Sequence, residues 1–192
     1  MAEKTIINAV INRYRFRSIC EADKDSYLSV KREASEISAV HQQFEGFSDF
    51  CWEEDLKDEN NVFMVVFREA DKQFVAICSF QKIHSDAVEL GCDVKKEYRN
   101  QGMGTQIVSA LILLAHSIYP EKQILIKVRK GNFSSLRVTE KCGGKLTGSE
   151  DTPEVKYFQQ QLRMVENVPA IDKAYLEEAI ERGKNGIKIF EV

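Results

Sequence analysis

Residues 101–118 constrain the fold more than any other stretch of this chain. They place Ile107, Leu111, Leu114 and Ile118 on one helical face, with Val108, Ile112 and Ala115 on a second. A helix apolar on several sides has to be buried against a sheet. Tyr119-Pro120 stops it, because proline lacks the amide and restricts the residue before it. The helix lies between two segments that read as strands, 87–94 and 123–128. A helix between two strands makes a crossover, so those strands are expected to run parallel. Upstream, Val62–Phe67 and Phe74–Ile83 read as strands by their β-branched and aromatic content, separated by turns at 70–72 and 84–86. Three strands joined by short turns form an antiparallel meander, so the sheet is expected to be mixed, an α/β (α+β) arrangement with flanking helices.

The rest of the chain fits around that frame. Residues 1–12 suit a helical face or a strand equally, and 14–20 alternate as a strand. Helix is expected from Ser26 to Ala34 and on to about Leu56, with Ala22 to Asp25 offering helix-start residues. The aromatic run from Phe44 to Trp52 reads as core packing between helices, or as one wall of a substrate pocket. A short helix runs from Asn132 to Lys141 and stops at Gly143. Lys145–Thr147 reads as a short strand and Val155–Leu162 as a last sheet strand. A helix over 171–182, ended by Gly183, and a strand over 187–192 complete the chain. We read 1–164 as one domain and 165–192 as a helix–strand extension rather than an independent domain.

The turn Arg99-Asn100-Gln101-Gly102-Met103-Gly104 opens the buried helix and follows Lys95 and Lys96. Glycines there allow close backbone approach, and a helix N-terminus carries roughly half a positive charge. Amides, helix dipole and nearby cations are what a pyrophosphate needs. The spacing is not that of a Walker loop, and an antiparallel meander before it argues against a Rossmann fingerprint.

Here the sequence resembles the GNAT superfamily of N-acetyltransferases. Its signature [QR]xxGx[GA] is met by Arg99, Gly102 and Gly104. Its downstream helix, opening with Asn and closing with EKxG, is met by Asn132, Glu140, Lys141 and Gly143. The likeness covers about residues 14–164. It implies a mixed sheet splayed in the middle, with acetyl-CoA as co-substrate. It further implies that Cys92, Asp93 and Val94 offer main-chain groups to the pantetheine arm. The pyrophosphate would sit on Arg99, Asn100, Gln101, Gly102, Met103, Gly104 and Thr105, and Asn132 and Ser135 would lie on the same cofactor. An acceptor amine would then attack the thioester directly. Glu89 is the carboxylate nearest the family's base position, which aligns on Val88. A β-bulge would be needed to bring Glu89 to the family's face. The family's usual acidic tyrosine is replaced by Thr139, which leaves Tyr157 as the acid to consider. Gly144 stands where the family commonly has an aromatic residue.

Composition sets further limits. The net charge is −3, which argues against non-specific nucleic-acid binding. The five cysteines are widely spaced and odd in number, and the three histidines form no close pair. Reduced thiols, no disulfide framework and no metal site are therefore expected. Cys92 and Cys142 read as core or loop thiols rather than nucleophiles. No apolar run is long enough to cross a bilayer, and a cytoplasmic protein is expected. The partner is a small-molecule or peptide amine, with no nucleic acid or membrane, and a homodimer is one arrangement the chain admits. Two other readings stand beside the enzyme: a non-catalytic acyl-CoA-binding module, and an assembly component docking through Ile171, Tyr175, Ala179 and Ile180.

Overall fold

The computed structural model describes residues 5–33, 47–164 and 170–192. The helix expected over 35–46, Phe44 of the 44–52 run and Pro169 lie outside them. Two compact units form, Met1–Leu125 with Val192, and Ile126–Glu191.

In the first unit a meander grows outward from a two-residue hairpin. Strand β1 (Asn8–Ile11) pairs antiparallel with β2 (Tyr14–Ser18), and Asn12 makes the turn at φ 55°. The ambiguous N-terminal stretch is thus a strand. Next come helix α1 (Lys24–Glu33) and helix α2 (Phe47–Lys57), then β3 (Val62–Arg68), β4 (Gln73–Gln81) and β5 (Ala87–Val94). All neighbours from β1 to β5 pair antiparallel. Helix α3 (Met103–Ile118) then crosses over, and β6 (Gln123–Arg129) runs parallel to β5 as expected.

The register divides the side chains of this sheet between two faces. One face carries Val65 and Ile77, which pack with Ile19, Tyr27, Leu28, Val30 and Trp52 beneath α1 and α2. The Tyr27 and Trp52 rings meet edge-on at 5.5 Å. Trp52 thus takes the core-packing role expected of the aromatic run, while Phe50 in the same run is exposed. The opposite face carries Tyr14, Phe16, Met64, Val66, Phe80 and Val88, all buried. Against this side lies α3, which contacts β5 and β1 and buries Ile107, Ala110, Leu111 and Leu114. The start of α1 is set by Asp23: its carboxylate accepts from the Cys20 amide at 2.9 Å and from both Arg17 amino groups at 2.9 and 2.7 Å. Burial opposes its ionisation, but the Arg17 and Cys20 hydrogen bonds outweigh burial and hold the carboxyl below its ordinary value.

The second unit takes the last residues of β6, then α4 (Phe133–Lys141), β7 (Lys145–Glu150), α5 (Pro153–Met164), α6 (Ala170–Gly183) and β8 (Ile187–Glu191). The strand order is β1-β2-β3-β4-β5-β6-β8-β7, so the final strand enters between β6 and β7. The expected strand at Val155–Leu162 is a helix. Thr152 precedes Pro153, which suits a first helical turn, and Glu154 adds an acid there. Buried Val155 and half-buried Phe158 and Leu162 then follow helical spacing, which outweighs four residues of alternation. Helices α5 and α6 pack together, and a Cβ at Gly183 would come within 2.4 Å of Val155 Cγ2.

Gly144 explains one departure from the expected pattern. A Cβ there would lie 2.6 Å from Thr139 Cγ2 and 3.0 Å from Thr139 O. The aromatic side chain that the resemblance leads one to expect has no room. Gly144→Phe is expected to destabilise this unit by about 1–3 kcal/mol, the usual cost of overpacking. A thermal melt monitored by circular dichroism checks it, and an unchanged midpoint would contradict the packing described.

Candidate active site

The site begins with where β5 loses its neighbour. Parallel pairing with β6 covers Ala87–Glu89 against Gln123–Leu125 and ends there. Lys95 N donates to Val75 O at 3.0 Å, so the main-chain groups of Lys95, Asp93 and Gly91 point toward β4. Those of Leu90, Cys92 and Val94 point to the other edge, beyond the last β6 pair. Of the three positions expected to offer main-chain groups, Cys92 and Val94 face that edge and Asp93 faces β4.

Past β5 the chain makes one short helical turn, Lys96–Tyr98, and enters the glycine turn. Arg99 folds back, its Nε donating to Val94 O at 2.7 Å, which ties the turn to the end of β5. Gln101 Nε2 donates to Glu97 O at 2.8 Å. Asn100 and Gly102 take left-handed conformations at φ 61° and 76°. Asparagine and glycine are the residues that tolerate this region best, so the sequence itself selects the turn. Gly102 is the N-cap of α3 and provides no side-chain cap. The helical ladder begins with Gln106 N donating to Gly102 O at 3.3 Å. The amides of Met103, Gly104 and Thr105 therefore precede the ladder, at the positive end of the helix dipole. This is a donor set that fits an anionic oxygen cluster.

The cations beside the turn differ in their surroundings. Lys95 pairs with Glu97 at 2.7 Å and stands over the Phe74 and Tyr98 rings. The Lys96 side chain is exposed, while its amide donates to Glu33 Oε2 at 2.7 Å. Glu33 also lies 3.7 Å from Arg99. No sequence signal pointed to Glu33, because it sits 63 residues before Lys96 at the end of α1.

Glu89 lies on the α1/α2 side of the sheet. Its neighbour Val88 is fully buried on the α3 side. The β4–β5 register is unbroken from Gln81–Glu89 to Ala76–Val94, so no bulge turns Glu89 to the other face. Its carboxylate accepts from Lys82 Nζ at 2.6 Å. Nearby on the same face, Gln81 Nε2 donates to the buried Ser79 hydroxyl at 3.0 Å, and Gly91 leaves room for it. Lys82, Ser79 and Gln81 are site neighbours that sequence reading missed. Period-two spacing along β4 could have placed Ser79 and Gln81 on this face, but not the Lys82 ion pair.

In the second unit Asn132 and Ser135 meet each other. Asn132 caps α4, its Oδ1 accepting from Ser135 N at 3.1 Å. Thr139 is buried, and its hydroxyl donates to Ser135 O at 2.9 Å. Tyr157 stands on α5 rather than on a strand, 58% exposed, with its ring 5.6 Å from Phe158. His84 Nε2 lies 3.1 Å from Glu59 O, and His116 Nε2 lies 3.1 Å from Val192 O. Among the described residues no cluster could hold a metal ion, and no helix is long and apolar enough to cross a membrane.

The sequence model for an acetyltransferase (GNAT) domain matches residues 13–145, more than half of the chain. The chain belongs to the GNAT acetyltransferase family. As a GNAT enzyme it carries the expected mixed sheet, broken at the β5–β6 pair, with the signature turn at the start of α3. No curated protein sequence matches it significantly. Solved structures agree in fold at low identity. A GNAT-family acetyltransferase from Bacillus anthracis has a TM-score of 0.67 at 13% identity, covering 97% of this chain and 98% of that one. Spermidine N-acetyltransferase from Vibrio cholerae, solved with CoA and spermine, has a TM-score of 0.64 at 13% identity, covering 94% and 95%. A domain from Methanocaldococcus jannaschii has a TM-score of 0.63 at 16% identity, covering 93% and 97%.

Proposed function

We propose that this GNAT enzyme transfers an acetyl group from acetyl-CoA to a primary amine of a small molecule or peptide, by direct attack of the amine on the thioester. The observation that carries this reading is the junction of the free β5 edge with the Arg99–Gly104 turn. Cys92 offers its main-chain N–H and C=O and Val94 its N–H to an extended arm, Val94 O being held by Arg99 Nε, and the amides at the start of α3 offer donors to a pyrophosphate. One ligand with an amide-bearing arm and a pyrophosphate would use both. Acetyl-CoA supplies the activated acyl group, and this chain's residues bind it, orient it and handle the proton.

For the proton, we assign Glu89 as base, held by Lys82 and acting from the α1/α2 face of the sheet, not from the α3 face on which the family's base position falls at Val88. Glu89→Gln keeps the shape and removes the proton acceptor. It is expected to lower kcat by roughly 10²- to 10⁴-fold, the usual contribution of a general base. Steady-state kinetics across pH checks it, and an unaltered kcat would remove Glu89 from the mechanism. On the acid side, the buried and hydrogen-bonded Thr139 hydroxyl offers nothing comparable to a tyrosine, and Tyr157, exposed on α5 and not on a sheet strand, is not assigned the role; the thiolate leaves unprotonated.

A broad amine panel tests the function, with polyamines included because a structural neighbour was solved with spermine. The measured quantity is amine-dependent release of CoA thiol. Turnover on at least one amine supports the proposal. CoA binding with no turnover on any amine would favour a non-catalytic acyl-CoA-binding module, the reading that Thr139 favours.

A further inference from the structure

The β4–β5 ladder sets Cys78 directly opposite Cys92. The Lys95–Val75 hydrogen bond fixes the phase of that ladder, which makes Cys78–Cys92 one of its non-hydrogen-bonded pairs. In such pairs the Cα atoms stand roughly 4.5 Å apart, inside the range of about 4.4–6.8 Å that disulfides bridge. Both side chains project to the α3 side of the sheet. Cys78 is buried and Cys92 is half-buried, so Cys92 is the more accessible of the two.

We propose that Cys78 and Cys92 form a reversible thiol–disulfide site, oxidised by exchange with a small-molecule disulfide. Cys92 gives its proton to solvent, and its thiolate attacks one sulfur of the small disulfide. That S–S bond breaks, one small thiolate leaves and is protonated, and a mixed disulfide remains on Cys92. Cys78 then loses its proton and attacks the Cys92 sulfur, releasing the second small thiolate. Two protein thiols and one disulfide become one protein disulfide and two small thiols, with two electrons passing from protein to reagent. Burial, and after it the neighbouring Cys92, push the Cys78 thiol up, which makes the second step the slower one. The site does not depend on the acetyl-transfer reading, and its test does not use activity.

The test treats the full chain with excess oxidised glutathione, alkylates the remaining thiols and maps the cysteines by mass spectrometry. Trypsin can cut at Lys72, Lys82 and Lys95, so the two cysteines fall on separate peptides. The expected product is those two peptides joined with the loss of two hydrogens, reversed by excess reduced glutathione. Cys78→Ala should instead stop at a stable glutathione adduct on Cys92. The proposal fails if both thiols of the native chain stay alkylatable, if the native chain also stops at the adduct, or if either cysteine pairs with Cys20, Cys51 or Cys142.

Discussion

Gly102→Val is expected to weaken CoA binding by roughly 10- to 100-fold while leaving the protein folded. Gly102 holds φ at 76°, where a β-branched residue is strained by about 1–3 kcal/mol. Relief of that strain would rotate the peptide that begins α3 and turn the Met103–Thr105 amides away from their common direction. A hydrogen bond to a charged group is worth about 1.5–3 kcal/mol, and each 1.4 kcal/mol is about tenfold in affinity. Losing one or two such bonds therefore gives the stated range. No heavy atom lies within 4 Å of the position a Cβ would take, so backbone conformation and not crowding is what the substitution changes. Gly102→Asn is the control, since asparagine tolerates the left-handed region as it does at Asn100. Calorimetric titration with CoA, beside a thermal melt, measures both effects. A folded valine variant that binds CoA as the native chain does would refute the cradle.

Trp52→Ala is expected to cost about 3–5 kcal/mol of stability, among the largest single losses available in this chain. Trp52 is 1% exposed and meets Tyr27 edge-on, with Leu28, Val30, Val65 and Ile77 around it. The cavity left by truncation would open beside a polar group that depends on dryness. Tyr27 donates to Asp55 Oδ2 at 2.8 Å, and Asp55 pairs with Lys31 at 2.9 Å. Burial, with Asp55 beside it, pushes the Tyr27 phenol far up and keeps it protonated. Urea unfolding should show a lower midpoint with an unchanged slope. A loss below about 1 kcal/mol would mean that the ring is not the packing centre described.

The crossover was legible because the α3 pattern admits only one environment, and because short turns leave the preceding strands no choice but to meander. Gly102 and Asn132 could be read because their conformational and capping roles depend on residue type and local spacing. What escaped was set elsewhere. The α5 segment alternates over a few residues, and Thr152-Pro153 had to be weighed as a helix start to overrule that. Glu33 reaches the Lys96 amide, and Lys82 reaches Glu89, only because strands and helices distant in sequence bring them together. The side of the sheet taken by Glu89 is a matter of register, which one residue reverses. Only the unbroken β4–β5 ladder decided it.

The position of β8 has a consequence for how the second unit assembles. Lys130 N donates to Gly186 O at 2.6 Å, and β8 stands between β6 and β7. During folding, β6 and β7 cannot complete the sheet with each other. Each waits for a strand that arrives only after α5 and α6 have been made. Contacts so distant in sequence form slowly, because the intervening loop must be closed before they stabilise anything. In that interval β6 presents an open edge beside Ile124, Ile126 and Val128, the kind of surface on which partly folded chains aggregate. Formation of the α5–α6 pair shortens the wait, since it brings Gly183 back to Thr152 and delivers β8 to the gap.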